Sequence, residues 1–179
     1  MDFFVYSLYN DKKIKEEKDM DELLKLLSSN SKFTTEELSM ILDEPVDYLD
    51  KQIAEYEVTG VIKGYQAIVD WDKVPHADVK AMIEIKVTPE KDKGFDDIAA
   101  KIMSFDEVES LYLMAGSYDF AAYVTGKTMQ EVAMFVSRRL STIESVIATS
   151  THFLLKKYKE SGINFYEDDS EEDKRSLVL

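Results

Sequence analysis

The chain has 179 residues, of which 45% are apolar and 32% charged, with a net charge of −14 and no cysteine. This composition is typical of a globular protein with one or two small domains, and the missing cysteines exclude disulfides, thiolate nucleophiles and thiolate metal sites. No apolar run approaches the ~18 residues of a membrane span, and the N-terminus makes a poor signal peptide, so we expect a cytoplasmic protein with no membrane association.

The N-terminal part of the chain has the pattern of three short helices. An extension, residues 1–19, precedes it, and its role cannot be read from the sequence. Within 20–63, Thr34 or Thr35 is a candidate cap for the second helix, Pro45 suits the first position of the third with Asp43 or Glu44 as its cap, and Gly60 ends it. The apolar positions fall at helical spacing: Leu23, Leu24, Leu27, Leu38, Ile41, Leu42, Val46, Leu49, Ile53 and Tyr56. A tight link between the last two helices predicts a helix-turn-helix domain.

The pattern then changes from helical to mixed. Residues 64–70 read as a strand, and residues 64–78 as a linking strand and linker. From 79 to 158 the order is strand-helix-strand-strand-helix-strand, which predicts a ferredoxin-like sandwich with two helices on one face of a four-stranded antiparallel sheet. Residues 159–179 form an acidic tail that we expect to be largely disordered. The fold class is therefore α+β, a three-helix head joined by a strand to a βαββαβ body.

The connection between the two middle strands of the body contains an unexpected acid. Gly116 permits a tight turn and Ser117 suits one, but a turn does not require the carboxylate of Asp119. One interpretation is that Asp119 caps its own turn. The other is that it accepts the ammonium group of an amino acid or the N–H groups of a partner loop.

Three segments in this order resemble the leucine-responsive/asparagine-operon (Lrp/AsnC) family of regulators. They are "VTGVIKGYQAIVDWDKV", the Gly-x-x-Asp hairpin in "LYLMAGSYDF", here Gly116 and Asp119, and "LSTIESVIATSTHFLL". The resemblance covers roughly residues 20–160. It implies a transcriptional regulator that dimerises through its sheet, often builds octamers and binds a small amino acid between sensor domains.

An effector site follows as a hypothesis from the resemblance and the residues together. Asp119 would hold the ligand's ammonium group, and hydroxyls of the last strand its carboxylate; Met114 and Tyr118 could contact its side chain, although core or interface packing is the commoner role for such residues. The predicted effector-binding residues are Met114, Gly116, Tyr118, Asp119, Thr149, Ser150 and Thr151. The sequence implies no metal and no cofactor.

The helix-turn-helix of the head predicts DNA binding, but its charges oppose it. Of the third helix, Tyr48, Lys51 and Gln52 are the plausible readers of bases or phosphates, and the chain has no arginine before Arg138. Asp47, Asp50 and Glu55 would weaken binding to phosphates. The alternative is a DNA-silent amino-acid sensor, or a subunit that co-assembles with a related regulator and modulates it.

The sequence favours a binding protein over an enzyme. It has two histidines, His76 and His152, far apart in the chain, and neither a metal-ligand cluster, a glycine-rich phosphate loop nor a nucleophile elbow. Met82 and Tyr112 would lie on the sheet face that the helices leave open. Pairing two such faces would cover them, so we expect a homodimer.

Overall fold

The structure, a computed structural model, describes residues 22–75, 78–88 and 94–166, and the chain divides into two units between Ile68 and Val69. The predicted extension 1–19, His76 and the last part of the predicted tail lie outside the described residues. Within the described residues, no helix has the length and apolar character that crossing a bilayer would require.

The first unit is a small helical head with its own core. Residues 22–29 are helical (α1), followed by α2 (Thr35–Leu42) and α3 (Val46–Thr59). Thr34 caps α2 in a capping box, in which Glu37 N–H donates to Thr34 Oγ1 at 3.2 Å and Thr34 N–H donates to Glu37 Oε2 at 2.9 Å. The buried side chains come from all three helices: Leu23, Leu27, Leu38, Leu49 and Tyr56.

The turn between α2 and α3 differs from the prediction. Asp43 takes a left-handed conformation with φ 56°, and Pro45, predicted as the first residue of α3, is its N-cap instead. Ser39 Oγ donates to the Glu44 carbonyl at 2.6 Å and so fixes the turn from the side of α2. This turn and the shared core hold the two helices as a helix-turn-helix. Ile41, expected to face inward, is 53% exposed.

Residues 64–70 do not form a strand with any described strand of the chain. A strand is stable only where a neighbour takes up its N–H and C=O groups, and both sheets are complete without this segment. Tyr65 is held by its side chain instead, since its hydroxyl donates to Glu57 Oε1 of α3 at 2.9 Å. Partial burial, then this bond and the charge of Glu57, raise the pKa of Tyr65. A single 3-10 turn, Trp71–Lys73, follows in the second unit.

The second unit is the predicted ferredoxin-like sandwich. Its elements are β1 (Val79–Val87), α4 (Phe95–Met103), β2 (Val108–Leu113), β3 (Phe120–Gly126), α5 (Met129–Phe135) and β4 (Val146–Phe153). The antiparallel sheet has the strand order β2-β3-β1-β4. Alternate residues of β1 point to the helices and are buried, namely Ala81, Ile83, Ile85 and Val87.

The five residues Val136–Leu140 follow α5 directly and continue it as a π-helical turn. The helical spacing of Met129, Val132, Val136 and Leu140 predicts that they share the inward face, and the last three are buried although they are spaced by four and four. The wider π turn uses more residues per turn, so Leu140 stays on the inward face instead of drifting round the helix. Met129, the fourth residue expected inside, is 51% exposed.

A two-stranded hairpin follows the sandwich, β5 (Lys159–Glu160) and β6 (Ile163–Asn164). Ser161 and Gly162 both have positive φ, 47° and 85°, as a two-residue turn of the primed type requires. This part of the predicted acidic tail is therefore structured, because Ser161 and Gly162 form the turn of a hairpin. The acidic composition of the tail did not indicate this turn.

Candidate functional site

The side chain of Asp119 bonds to the neighbouring strand rather than to its own turn. Its Oδ2 accepts the Val87 backbone N–H at 2.8 Å, and its own N–H donates to the Ile85 carbonyl at 3.0 Å. Val87 lies where the pairing of β1 with β4 shifts register, so the carboxylate takes up an amide at an irregular strand end. The second oxygen, Oδ1, has no hydrogen bond to any described residue.

The loop that carries Asp119 is broader than the tight turn predicted for it. Six residues separate β2 from β3, and Gly116 does not have positive φ. A Cβ on Gly116 would meet no heavy atom within 4 Å. Nothing in the described part of this chain therefore requires glycine at 116, and a larger residue would fill space in front of the loop.

The open face of the sheet forms a shallow concavity of about 490 Å³, lined by tyrosines and methionines among charged side chains. Tyr112 and Tyr123 meet edge to face with their ring centroids 6.2 Å apart, and Met82 lies beside Tyr123 in the β1–β3 pairing. Two of the predicted effector contacts, Met114 and Tyr118, line the same concavity. Across it, Lys80 Nζ donates to Glu109 Oε2 at 2.8 Å.

The three hydroxyls predicted on the last strand do not share one side of the sheet. Thr149 and Thr151 pair with Ile85 and Ile83, which are buried under the helices, whereas Ser150 pairs with Glu84 on the open face. Successive strand residues point to opposite faces, so three consecutive hydroxyls cannot line one site from the same direction. Thr149 Oγ1 lies 3.3 Å from Ser141 Oγ.

The exposed side of α3 is mostly acidic. Asp47, Asp50 and Glu55 are exposed with Lys51, while Gln52 is half-buried. Tyr48 packs against the core of the head, so less of its ring is available to a base or a phosphate. Lys51 is thus the freest of the three predicted DNA readers, with carboxylates on either side of it.

No group of residues in the described ranges has the composition of a metal site. His152 lies on the open face of the sheet, 3.5 Å from Glu84 Oε1 and 3.3 Å from Ser150 Oγ. Both contacts are made by the same ring nitrogen, Nε2, so Glu84 does not orient the ring through one nitrogen while the other faces Ser150, and this cluster does not resemble a catalytic arrangement.

A helix-turn-helix head followed by a ferredoxin-like unit places the chain in the class of two-domain transcriptional regulators, and comparison with known proteins agrees. A family model described as the Lrp/AsnC ligand binding domain matches residues 80–163. An uncharacterized HTH-type transcriptional regulator of Bacillus subtilis (strain 168), YugG, is 44% identical over 158 residues, which are 88% of this chain and 94% of that protein. The chain belongs to the Lrp/AsnC family, whose members are transcriptional regulators rather than enzymes.

Two solved structures share the fold. A transcriptional regulator of Neisseria meningitidis in complex with L-methionine has a TM-score of 0.65 at 22% identity, covering 86% of this chain and 97% of that one. A feast or famine regulatory protein of M. tuberculosis, also complexed with L-methionine, has a TM-score of 0.64 at 24% identity, covering 79% and 94%. These identities establish the fold and leave the ligand of this chain to be argued from its own residues.

Sequence reasoning missed two features of this unit. The bond from Val87 to Asp119 joins residues 32 positions apart, and no local pattern indicates it. Tyr123 was detectable, since in "FAAYVTG" it alternates with buried Ala122 and Val124 and so belongs to the open face.

Proposed function

We propose that this protein is an amino-acid-responsive transcriptional regulator that binds an amino acid beside Asp119 and DNA through α2 and α3. The proposal depends on the observation that only one oxygen of the Asp119 carboxylate is hydrogen-bonded to a described residue, in a loop where Gly116 leaves open space. A carboxylate with one free oxygen can accept an ammonium group in a charge-assisted hydrogen bond. The L-methionine complexes of two fold neighbours support a small apolar amino acid as the ligand.

The ligand's other contacts follow from the faces of the strands. Met114 and Tyr118 are candidates for its side chain, and Ser150 for its carboxylate, since Ser150 is on the open side. Thr149 and Thr151 could act only from the helix side, at the sheet's outer edge. Because β4 is an edge strand, a second dimer could reach that edge, and the ligand could then bind between two dimers.

Thermal shifts with the twenty amino acids test the site. We expect stabilisation by at least one apolar amino acid in the wild type and a smaller stabilisation in Asp119→Asn, which keeps a hydrogen-bond acceptor for Val87 but removes the negative charge. Asp106→Asn, an exposed aspartate elsewhere on the same unit, is the matched control. A flat response across the panel, or an unchanged response in Asp119→Asn, would remove the site.

The open sheet face supports a homodimer as part of the same proposal. Tyr112 is 54% exposed and Tyr123 40%, beside Met82 and Met114. Burying such side chains contributes roughly 25 cal/mol per Å² of apolar surface. Light scattering at micromolar concentration should give at least a dimer; a monomer would contradict this part of the proposal. Higher oligomers, and a cytoplasmic location beside DNA, remain expectations from the family.

DNA binding is the part of the proposal that the charges of α3 oppose. A carboxylate about 8 Å from a phosphate costs roughly 0.5 kcal/mol in water, so several weaken binding without forbidding it. Retardation of DNA from the protein's own promoter should be visible at low salt. Asp50→Lys should strengthen binding and steepen its salt dependence by up to about two charges, whereas Asp106→Lys on the other unit should leave both less changed.

A DNA-silent sensor, alone or co-assembled with a more basic relative, is the second candidate. It is favoured by the single exposed lysine among the acids at the start of α3. Two results together would establish it: amino-acid binding that depends on Asp119, and no retardation of promoter DNA at any salt concentration. Mass photometry of the protein mixed with a relative would then detect co-assembly.

A further inference from the structure

A cavity of about 220 Å³ lies at the end of the sheet away from Asp119. Its apolar walls are Trp71, Met129, Leu154 and Phe165, which come from the 3-10 turn, the start of α5, the chain after β4 and the hairpin. Val79, the first residue of β1, lies in it, while Asp119 bonds to Val87, the last. Eight residue steps along a strand span about 27 Å, so the cavity is distant from Asp119, although it shares Lys80, Leu154 and Lys157 with the concavity on the open face.

The charges around this cavity sort into those already paired and those left over. Lys80 is bound by Glu109 and Lys157 by Glu160. Asp70 is occupied as well, since its side chain lies 3.7 Å from Lys73 Nζ and accepts from the Asp72 backbone N–H at 3.3 Å. These groups have little left to offer a ligand.

Two carboxylates and one ammonium group remain. Asp72 and Asp78 line the cavity and make no side-chain hydrogen bond or ion pair with a described residue. Lys156 lies over two tyrosine rings, 5.1 Å from the centroid of Tyr158 and 5.3 Å from that of Tyr166, and over no carboxylate. The aromatic pair positions the Lys156 side chain without neutralising its charge.

We propose that this cavity is a second binding site, for a small zwitterion with an apolar side chain, that is, a free amino acid. The carboxylates of Asp72 and Asp78 would receive the ammonium group, Lys156 the carboxylate, and the apolar walls the side chain. A simple amine or a simple acid would leave one sign of charge unmatched. The cavity is also smaller than the ~300 Å³ at which sites for drug-sized ligands begin, which suits an amino acid.

The chain carries its own probe for this site, because Trp71 is its single tryptophan. Titration with each amino acid, followed by tryptophan fluorescence, should give a saturable change for at least one apolar amino acid. If L-leucine is that ligand, 3-methylbutylamine, which lacks the carboxylate, and 4-methylpentanoate, which lacks the ammonium group, should bind about tenfold more weakly or worse. For another ligand, the corresponding amine and acid replace them.

Variants separate this site from the one beside Asp119. Asp78→Asn and Lys156→Gln, both at exposed positions, should each weaken the Trp71 response about tenfold, while Asp119→Asn and the control Asp106→Asn should retain it. Equilibrium dialysis should count two ligands per chain in the wild type and one in Asp78→Asn.

Two outcomes would overturn the second site. One is a Trp71 signal that no amino acid changes up to about 10 mM, well above a millimolar dissociation constant. The other is a response that the amine alone reproduces at equal affinity, or that disappears in Asp119→Asn. If the thermal shifts still depend on Asp119, the proposed function survives either result. If the thermal shifts do not depend on Asp119 but Trp71 responds to amino acids, the second site survives.

Discussion

Replacing Asp119 by alanine and by asparagine separates its structural role from its proposed role in ligand binding. In Asp119→Ala the Val87 N–H loses its acceptor at 2.8 Å. A hydrogen bond to a charged group contributes about 1.5–3 kcal/mol. Since Asp119 is only half-buried, water can partly replace the lost acceptor, and we expect the free energy of unfolding to fall by about 1–2 kcal/mol.

The asparagine variant keeps an acceptor in the same place. Its amide oxygen can take the Val87 N–H as a neutral hydrogen bond, which contributes about 0.5–1.5 kcal/mol. We therefore expect Asp119→Asn to lose about half to two-thirds of what Asp119→Ala loses. If the ligand beside Asp119 needs the negative charge, the same variant should nevertheless show a smaller thermal shift with amino acids than the wild type.

Urea unfolding followed by Trp71 fluorescence is the assay, because Trp71 belongs to the same unit as Asp119. With a slope of about 1–3 kcal/mol per molar urea, Asp119→Ala should lower the midpoint by roughly 0.3–2 M. Protein concentration must be held constant, since dimer formation would add to the apparent stability. Equal midpoints for all three proteins would refute the hydrogen-bond argument. Equal losses in both variants would show that charge, not the bond to Val87, matters for stability.

Three further substitutions test the packing and the surfaces. Gly126→Ala would place a Cβ 3.0 Å from Val132 Cγ2, and the overpacking should lower the free energy of unfolding in urea by about 1–3 kcal/mol. Gly116→Ala, whose Cβ would meet no heavy atom within 4 Å, should be close to neutral. The reverse order would contradict the geometry. Thr34→Ala removes the cap of α2 and should cost about 1 kcal/mol, seen as a lower melting temperature in helical circular dichroism. An unchanged melting temperature would mean that the capping box contributes nothing. Tyr123→Lys should shift the protein to a smaller species in light scattering without unfolding it, and an unchanged mass would place the dimer interface elsewhere.

The sequence was sufficient where the pattern is local. The alternation in "AMIEIKV" predicts which face of β1 is buried, because a strand reverses side at every residue. The Thr34 cap with Glu37 three residues later predicts the start of α2, because both bonds of the capping box lie within one turn. The order of elements from 79 to 158 then suggested the sandwich, since few topologies accommodate it.

What failed depended on partners far along the chain or outside it. Whether residues 64–70 form a strand depends on a neighbouring strand, and no described strand of this chain pairs with them. The partner of Asp119 is an amide 32 residues earlier, so the sequence could suggest a site but not how much of the carboxylate is already used. The split of Thr149, Ser150 and Thr151 between two faces is different, because the alternation rule alone would have revealed it.

The acidic head and the apolar sheet face make more sense together than apart. The three unfavourable carboxylates on α3, at about 0.5 kcal/mol each, would lower the DNA affinity of one head by about 1.5 kcal/mol, or roughly tenfold. Joining two heads in one particle raises the affinity by about 10² to 10⁴ without any new contact, which more than offsets this loss. A regulator built this way would bind DNA much more tightly when assembled, so anything that shifts assembly also changes DNA binding. Tyr123→Lys, which leaves every residue of the head unchanged, should therefore weaken retardation of promoter DNA more than Lys51→Ala does, and equal retardation by the Tyr123 variant and the wild type would show that a single head suffices.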